Sequence, residues 1–211
     1  MASVDELINS LTEKAVPTRP AATPFMLFLK WSAYAVVYIA VLLFFFGLRD
    51  DIRTQLHFSL FRFEIGSLMG ILLTSLLSAT TLSFPDMHQK NFIAGLPLIP
   101  LILFVNVLYA QWLNDVPPAA LPDHDVICLL CISMFSVLPA AIIIQVLRQQ
   151  ATTHYYATGS VALLAASSLG CLTLRLSEKT DSILHLVEWH YLPMIGFSLL
   201  GLWLGRRYLK W

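Results

Sequence analysis

Residues 123–131, DHDVICLLC, carry the side chains of this sequence that are best suited to metal binding or redox chemistry. If a helix begins at this Asp-His-Asp sequence, His124, Cys128 and Cys131 follow at positions i, i+4 and i+7 and lie on one helical face. Imidazole and thiolate groups aligned in this way can bind a soft metal ion. One interpretation of the pattern is therefore a metal or redox sensor at the start of this helix.

A second group of candidate ligands precedes the last apolar segment of the chain. His185, Glu188 and His190 can lie at the same depth as the two cysteines. The alternative is that Cys128 and Cys131 are small apolar core residues and that the histidines lie at an interface. A C-x-x-C pair on an apolar helix does not decide between these interpretations. The sequence leaves both metal binding and disulfide formation open.

The enzyme that could use this cysteine pair is a membrane thiol oxidoreductase. Such an enzyme exchanges electrons with a second dithiol through mixed disulfides. The chain has three cysteines, so only Cys171 is left for such a relay. We therefore predict a protein that is not an enzyme, that has no catalytic residues and that requires no cofactor.

The composition predicts which solvent surrounds the helices that carry these residues. Of the 211 residues, 57% are apolar and 12% are charged, and the mean hydropathy is +0.72. Soluble domains carry about 25% charged residues, and a chain of this length cannot bury so much apolar surface in one water-exposed core. A lipid bilayer is the environment that fits this composition. The net charge of zero gives no indication of direct nucleic-acid binding.

Six apolar segments are long enough to cross a bilayer as helices, since a span requires about 20 residues. They cover roughly 25–48, 61–84, 92–113, 126–147, 155–174 and 183 or 190 to 205. The connectors between them are too short for a folded soluble domain. The predicted fold is an all-α membrane protein in which residues 25–211 form six transmembrane helices and residues 1–24 precede them.

The basic residues favour an orientation in which both termini are cytoplasmic. An even number of spans places the two termini on the same side. If that side is inside, it holds eight Lys and Arg residues and the outer side holds five, the bias expected of a membrane protein with cytoplasmic termini. The inner eight are Lys14, Arg19, Lys30, Lys90, Arg148, Arg206, Arg207 and Lys210.

Charged residues within the spans are few. Lys30 can extend its amine to the inner interface, and Arg62 and Glu64 lie at the start of the second span. Their proximity to the span ends accounts for all three, and no span carries an acidic relay at mid-membrane. A small transporter is therefore the least favoured function class.

The N-terminal residues form a short helix of a different kind. Ser3 and Glu6 have the spacing of a capping box, and an apolar stripe follows at helical spacing, formed by Val4, Leu7, Ile8 and Leu11. The stretch VPTRPAATP then ends the helix, because three prolines do not fit an ordinary helix interior. Residues 1–24 are thus predicted to be a cytoplasmic amphipathic helix followed by a proline-rich tether.

This helix is too short to be stable alone in water and requires a surface to lie on. One candidate is the bilayer, but helices that bind anionic membranes usually carry Lys and Arg on the polar face. Here the helix carries three acidic residues, Asp5, Glu6 and Glu13, and one basic residue, Lys14. We therefore predict that Val4, Leu7, Ile8 and Leu11 bind a groove in a protein partner, and that Asp5 and Glu6 meet a basic surface around it.

Three stretches together resemble a bacterial family, the NrsF-like membrane anti-sigma factors. They are the DELINSL…PTRP head, the Cys- and Pro-containing DVICLLCISMFSVLPAAIIIQVLR, and the C-terminal LRLSEKTDSILHLVEWHYLPMIGFSLLGLWLGRRYLKW. The resemblance covers nearly the whole chain. It implies that the protein holds an extracytoplasmic-function sigma factor at the inner membrane until an envelope or external stress signal releases it. The N-terminal segment is the natural sequestering element.

The resemblance also implies two outward-facing cysteines that take part in stress sensing. Cys128 or Cys131 matches the first, in the fourth span. Where the second is expected, before the sixth span, this chain has Ser177. A local arrangement of Cys128 and Cys131, with or without His124, would have to replace the pair, or this member senses something else.

Two G-x-x-x-G motifs leave the oligomeric state open. They begin at Gly66 and Gly201 and permit close contact between helices. The contact can be internal packing or the face of a homo-oligomer.

Overall fold

The computed structural model describes residues 4–13, 23–85, 91–114, 125–150, 152–179 and 181–210. Within these ranges the chain is helical and contains no strand. Six helices are long and apolar enough to cross a membrane, which confirms the predicted number. They are Pro24–Phe46, Ser59–Leu82, Phe92–Asn114, Val126–Leu147, Tyr155–Ser177 and Ile183–Tyr208.

The elements follow one another with short connections. In chain order they are α1 (Val4–Glu13), α2 (Pro24–Phe46), α3 (Ile52–Gln55), α4 (Ser59–Leu82), a 3₁₀-helix (Asn91–Gly95), α5 (Leu98–Asn114), α6 (Asp125–Leu147), α7 (Tyr155–Ser177), α8 (Ile183–His185), a π-helix (Leu186–Tyr191) and α9 (Leu192–Tyr208). The ends of the six long segments agree with the sequence prediction to within about one helical turn. The sixth segment differs in kind, since a π-helix joins α8 to α9.

The boundaries of α2 follow from the local sequence. Thr23 caps its start, with the side-chain oxygen accepting a hydrogen bond from the Met26 N–H at 3.3 Å, and Pro24 occupies the first turn, where a missing N–H costs nothing. Gly47 ends the helix at a φ of 85°. This backbone conformation favours glycine, because a side chain there would be strained.

Helix α7 is the centre of the bundle. It contacts α2, α4, α6 and α9, and 83% of its apolar window is buried, compared with 17% for α2. Its sequence, YYATGSVALLAASSLGCLTLRLS, is rich in Gly, Ala and Ser. Small side chains allow neighbouring backbones to approach closely, so this helix can be surrounded on all sides.

The contact between α7 and α9 is the closest in the bundle. A Cβ atom added at Gly201 would lie 2.4 Å from the Gly159 carbonyl oxygen, and one added at Gly205 would lie 2.1 Å from that of Tyr155. Ser160 and Ser198 share a hydrogen bond of 2.9 Å across the same interface. The second G-x-x-x-G motif therefore serves internal packing, which leaves it unavailable as a dimer face.

The bundle presents apolar side chains outward and encloses polar ones. Phe44, Phe45 and Met134 are among its most exposed residues, whereas Glu64 and Arg175 are buried. A water-soluble protein has the opposite distribution, because burying apolar surface is what stabilises it. The outer surface is thus suited to contact with lipid chains.

The close contact at Gly201 gives a first prediction. Gly201→Ala is expected to destabilise the bundle by about 1–3 kcal/mol, the usual cost of overpacking, and to lower the thermal unfolding midpoint in detergent. Gly196→Ala, on the same helix, is the control, because a Cβ there has no atom within 4 Å. Equal midpoints for the two variants would contradict the packing described.

Candidate functional site

Two polar clusters lie at one end of the bundle. Because the chain crosses the bundle alternately, the starts of α4, α6 and α8 and the ends of α2, α5 and α7 meet at the end opposite the two termini. The arginine cluster comprises Arg49, Asp51, Glu64, Arg175 and Asp181. The cysteine–histidine cluster comprises Cys128, Glu178, His185 and His190. The elements that carry these residues are distant in sequence, so only folding brings them together.

At the centre of the arginine cluster is an ion pair between α4 and α7. The Nε of Arg175 lies 2.8 Å from Oε1 of Glu64, and both side chains are buried. The same carboxylate accepts hydrogen bonds from Gln111 of α5, at 2.8 Å, and from the hydroxyl of Tyr191 in the π-helix. Three helices and the π-helix therefore meet at one carboxylate group.

A second carboxylate links the two guanidinium groups of the arginine cluster. Asp181, in the α7–α8 connection, accepts from Arg175 at 2.8 Å and from Arg49 at 3.1 and 3.0 Å. Arg49 also donates to Asp51 at 2.8 and 2.9 Å. Both guanidinium groups lie over the ring of Phe61, at 5.5 and 4.9 Å from its centroid. Two cations thus face three carboxylates across a partly apolar site.

The sequence interpretation of Glu64 was wrong. It treated this residue as a charge whose position near the end of a span sufficed to explain it, whereas the side chain is completely buried and ion-paired. The distance of a residue from the end of a helix does not determine its access to water. In the bundle, access is decided by which face of α4 meets α7, and Glu64 is on that face.

The cysteine–histidine cluster joins α6 to the last third of the chain. One ligand atom from each of its four residues lies within 4.8 Å of all the others. Sγ of Cys128 is 3.5 Å from both carboxylate oxygens of Glu178, and Nε2 of His190 is 3.3 Å from Oε2. Cys128, His185 and His190 are buried, whereas the Glu178 side chain is 25% exposed.

The π-helix is what places the two histidines together. Residues five apart in an α-helix lie about 140° apart around its axis, so His185 and His190 would point in different directions. In a π-helix the hydrogen bonds join residues five apart, so such residues stack on the same side. The imidazole ring centroids are accordingly 5.2 Å apart. π-helices are rare and are frequently found at functional sites.

The two clusters share the elements that hold them. The α7–α8 connection supplies Asp181 to the arginine cluster and Glu178 to the cysteine–histidine cluster. The π-helix supplies Tyr191 to the first and His190 to the second, as consecutive residues. A change in one cluster therefore acts on the backbone that positions the other.

The other predicted ligands are placed differently. Cys131 is half-buried on α6 and is not among the four clustered residues, and Glu188 is exposed on the π-helix. All three cysteines are described, and none is in a disulfide. The thiol of Cys171 donates to the His190 carbonyl oxygen at 3.0 Å. His124 lies outside the described residues.

The predicted N-terminal helix is present as α1, but only some of its predicted binding residues are described in full. The side chains of Val4 and Ile8 are 73% and 53% exposed, and Glu6 is also exposed. The side chains of Leu7, Leu11 and Asp5 lie outside the described set, as does Ser3 of the predicted capping box.

Comparison with known families identifies the kind of protein that has this architecture. The model of the family described as negative regulator of sigma F, NrsF, matches residues 11–211. This chain belongs to the NrsF family. The resemblance noted in the sequence is thereby confirmed, and the family is one of regulators of a sigma factor. Searches of curated proteins and of solved structures returned no match.

The buried ion pair gives a second prediction. Arg175→Met leaves Glu64 buried without its cation and is expected to cost about 3–5 kcal/mol of stability, whereas the double variant Glu64→Gln/Arg175→Met recovers much of the loss. Denaturant unfolding in detergent measures both. Lys179→Met is the control, because its ion pair with Asp50 is exposed and is expected to contribute little. A double variant no more stable than Arg175→Met would contradict this account.

The arginine cluster also predicts a pH dependence. Burial acts to raise the pKa of Asp181, but hydrogen bonds from Arg49 and Arg175 outweigh it and lower this pKa below its ordinary 3.8. A hydrogen bond from Arg49 likewise lowers the pKa of Asp51. A lowered pKa contributes stability that is present above the unfolded value and is lost as the pH falls through the folded value.

The stability difference between wild type and Asp181→Asn is therefore expected to be constant from neutral pH down to about pH 5, and to close below pH 3.8. Thermal midpoints measured across this range test the expectation. Asp50→Asn, in the exposed pair with Lys179, is the matched control and should change little at any of these pH values. A difference that already closes near pH 6 would show that another group governs the dependence.

Proposed function

We propose that this protein is a membrane-bound anti-sigma factor that sequesters an extracytoplasmic-function sigma factor and releases it on an envelope or external stress signal. The observation that carries the proposal is membership of the NrsF family across residues 11–211. Residues 1–24 are the sequestering segment, and residues 25–211 are the domain that holds it at the bacterial inner membrane. The protein acts by binding and has no catalytic role.

The exposure of α1 supports its role in binding the sigma factor. Val4 and Ile8 lie one turn apart and both are exposed, so they form an apolar surface available to a partner. A helix of ten residues gains little stability from its own hydrogen bonds. A groove that accepts these side chains would supply the burial that the helix otherwise lacks.

The distribution of polar residues supports placement in a bilayer. The outward faces of the long helices carry Phe, Leu, Ile and Met side chains, whereas Arg49, Glu64 and Arg175 of the arginine cluster are buried inside the bundle. In a hydrocarbon solvent, ionised groups are tolerated where they pair with one another inside a bundle. With both termini in the cytoplasm, the two polar clusters lie at the outer end, where a signal from outside the membrane can reach them.

Release requires a signal that favours one packing state of the bundle over another. The outer end has the necessary connections, because α2 continues directly from the sequestering segment to the arginine cluster. The backbone N–H of Arg49 donates to the Leu176 carbonyl oxygen of α7 at 3.0 Å. A rearrangement at the outer end therefore acts on the helix that carries the N-terminal segment.

The proposal predicts that the apolar face of α1 is essential for binding. Ile8→Asp in the full chain is expected to abolish co-purification, in detergent, of the extracytoplasmic-function sigma factor bound by wild type, because a carboxylate cannot enter an apolar groove without a large desolvation cost. Each such sigma factor of the source genome, expressed with a tag, serves as the test partner.

Asn9→Asp is the matched control for this experiment. It introduces the same charge outside the apolar stripe of α1, about 100° from Ile8 around the helix axis, and should leave binding unchanged. Undiminished binding by Ile8→Asp would exclude the apolar face of α1 from the interaction. Absence of any sigma factor bound to wild type would overturn the proposed function itself.

A further inference from the structure

The cysteine–histidine cluster has the composition of a metal site. It offers one thiol, two imidazoles and one carboxylate, four groups that all bind Zn²⁺ in proteins. Metals such as Mg²⁺ and Ca²⁺ prefer oxygen ligands alone, and Cu⁺ prefers several sulfur ligands. A mixed set of nitrogen, sulfur and oxygen donors therefore favours a divalent ion of the zinc type.

The distances fit a tetrahedral ion. With metal–ligand bonds of about 2.0–2.3 Å, the ligand atoms of a tetrahedral site lie about 3.3–3.8 Å apart. In the protein the four ligand atoms lie within 4.8 Å of one another, and two of the measured separations are already 3.5 Å and 3.3 Å. Side-chain movements of about 1 Å or less complete the site.

His190 gives an independent indication of a ligand. Its side chain is completely buried, and neither ring nitrogen has a hydrogen-bond partner among the described residues. Its Nε2 is directed at the cluster, 3.3 Å from the Glu178 carboxylate. A buried polar group without a hydrogen bond is costly, and coordination of a metal ion would remove that cost.

We propose that Cys128, Glu178, His185 and His190 bind one divalent transition-metal ion of the zinc type in a tetrahedral site. Binding displaces the thiol proton of Cys128 and any proton on the imidazoles, releases them to solvent and transfers no electron. Four protein ligands leave no open coordination position, as in structural rather than catalytic sites. The ion joins the start of α6 to the end of α7 and to the π-helix.

The proposal differs from both sequence hypotheses about the cysteines. The proposed metal site uses Cys128 without Cys131. The carboxylate of Glu178 takes the place of a second thiol before the sixth span. Ser177, where the resemblance implied that thiol, instead donates to the Thr173 carbonyl oxygen of its own helix at 2.6 Å.

Cobalt titration of the purified full chain tests the site. After treatment with a chelator, the protein in detergent is titrated with Co²⁺ alone. Wild type is expected to bind one equivalent with the intense ligand-field bands of tetrahedral Co²⁺ and a thiolate-to-cobalt charge-transfer band, and Zn²⁺ should displace both. Cys128→Ser should lose the charge-transfer band and weaken binding by about a hundredfold or more, beyond the 10–100-fold effect of changes outside the ligand set.

Cys131→Ser is the matched control, three residues along the same helix, and should retain the wild-type spectrum and affinity. Glu178→Gln provides a second test at a partly exposed position. It should keep the charge-transfer band but bind more weakly, and a thermal melt confirms that each variant is folded.

Three results would overturn the proposal: no tetrahedral Co²⁺ spectrum in wild type, equal loss in Cys131→Ser and Cys128→Ser, or an unchanged affinity in Glu178→Gln. The titration involves no sigma factor. Its failure would therefore leave the proposed sequestration unaffected, and failure of the co-purification experiment would leave the metal site unaffected.

Discussion

The buried ion pair between Glu64 and Arg175 is the constraint on which the organisation of this protein depends. A guanidinium group taken out of water must have a nearby carboxylate, and the carboxylate must have its remaining lone pairs satisfied. Arg175 lies at the end of the central helix α7, where Glu64, Gln111 and Tyr191 complete this arrangement. The relative positions of α4, α5, α7 and the π-helix follow from that requirement, because moving any of them leaves a buried charge or dipole without a partner.

The same end of the bundle holds a second polar cluster that depends on the first. Asp181 is held by both arginines, which fixes the connection that also carries Glu178. Tyr191 is held by Glu64, which fixes the π-helix that also carries His190. Helix α6 contributes no residue to the arginine cluster, and it reaches this end of the bundle through Cys128. A chemical change at the cysteine–histidine cluster would therefore alter how α6 is attached to α4, α5, α7 and the π-helix, which the arginine cluster holds together.

Helix α7 provides the frame with a second kind of rigidity, which comes from backbone contact rather than charge. At Gly159, Gly201 and Gly205 no space remains for a side chain. Tightly packed interfaces of this kind shift between discrete arrangements rather than deforming continuously, so a change at the end of the bundle that holds the polar clusters would shift whole helices. In the proposed function, α2 is the element that conveys such a shift, since it connects the arginine cluster at one end to the sequestering segment at the other.

Much of the fold could be predicted from the sequence, because apolar length and proline position are local properties. The six long helices, the separate N-terminal helix and the family resemblance all follow from patterns within single segments. The candidate site was predictable only in part. The sequence identifies Cys128, His185 and His190 as candidate ligands. It does not identify Glu178, since a carboxylate in a short polar connector is ordinarily solvated.

The sequence by itself determined the number and approximate ends of the long helices and the apolar composition that makes them able to cross a membrane, because each of these depends on residues adjacent in the chain. Only the tertiary structure decided which charges are buried and which ligands meet. Glu64 and Arg175 are 111 residues apart, and their pairing depends on which helical faces come together. The proximity of His185 and His190 depends on a π-helix, which departs from the α-helical period that sequence reasoning assumes.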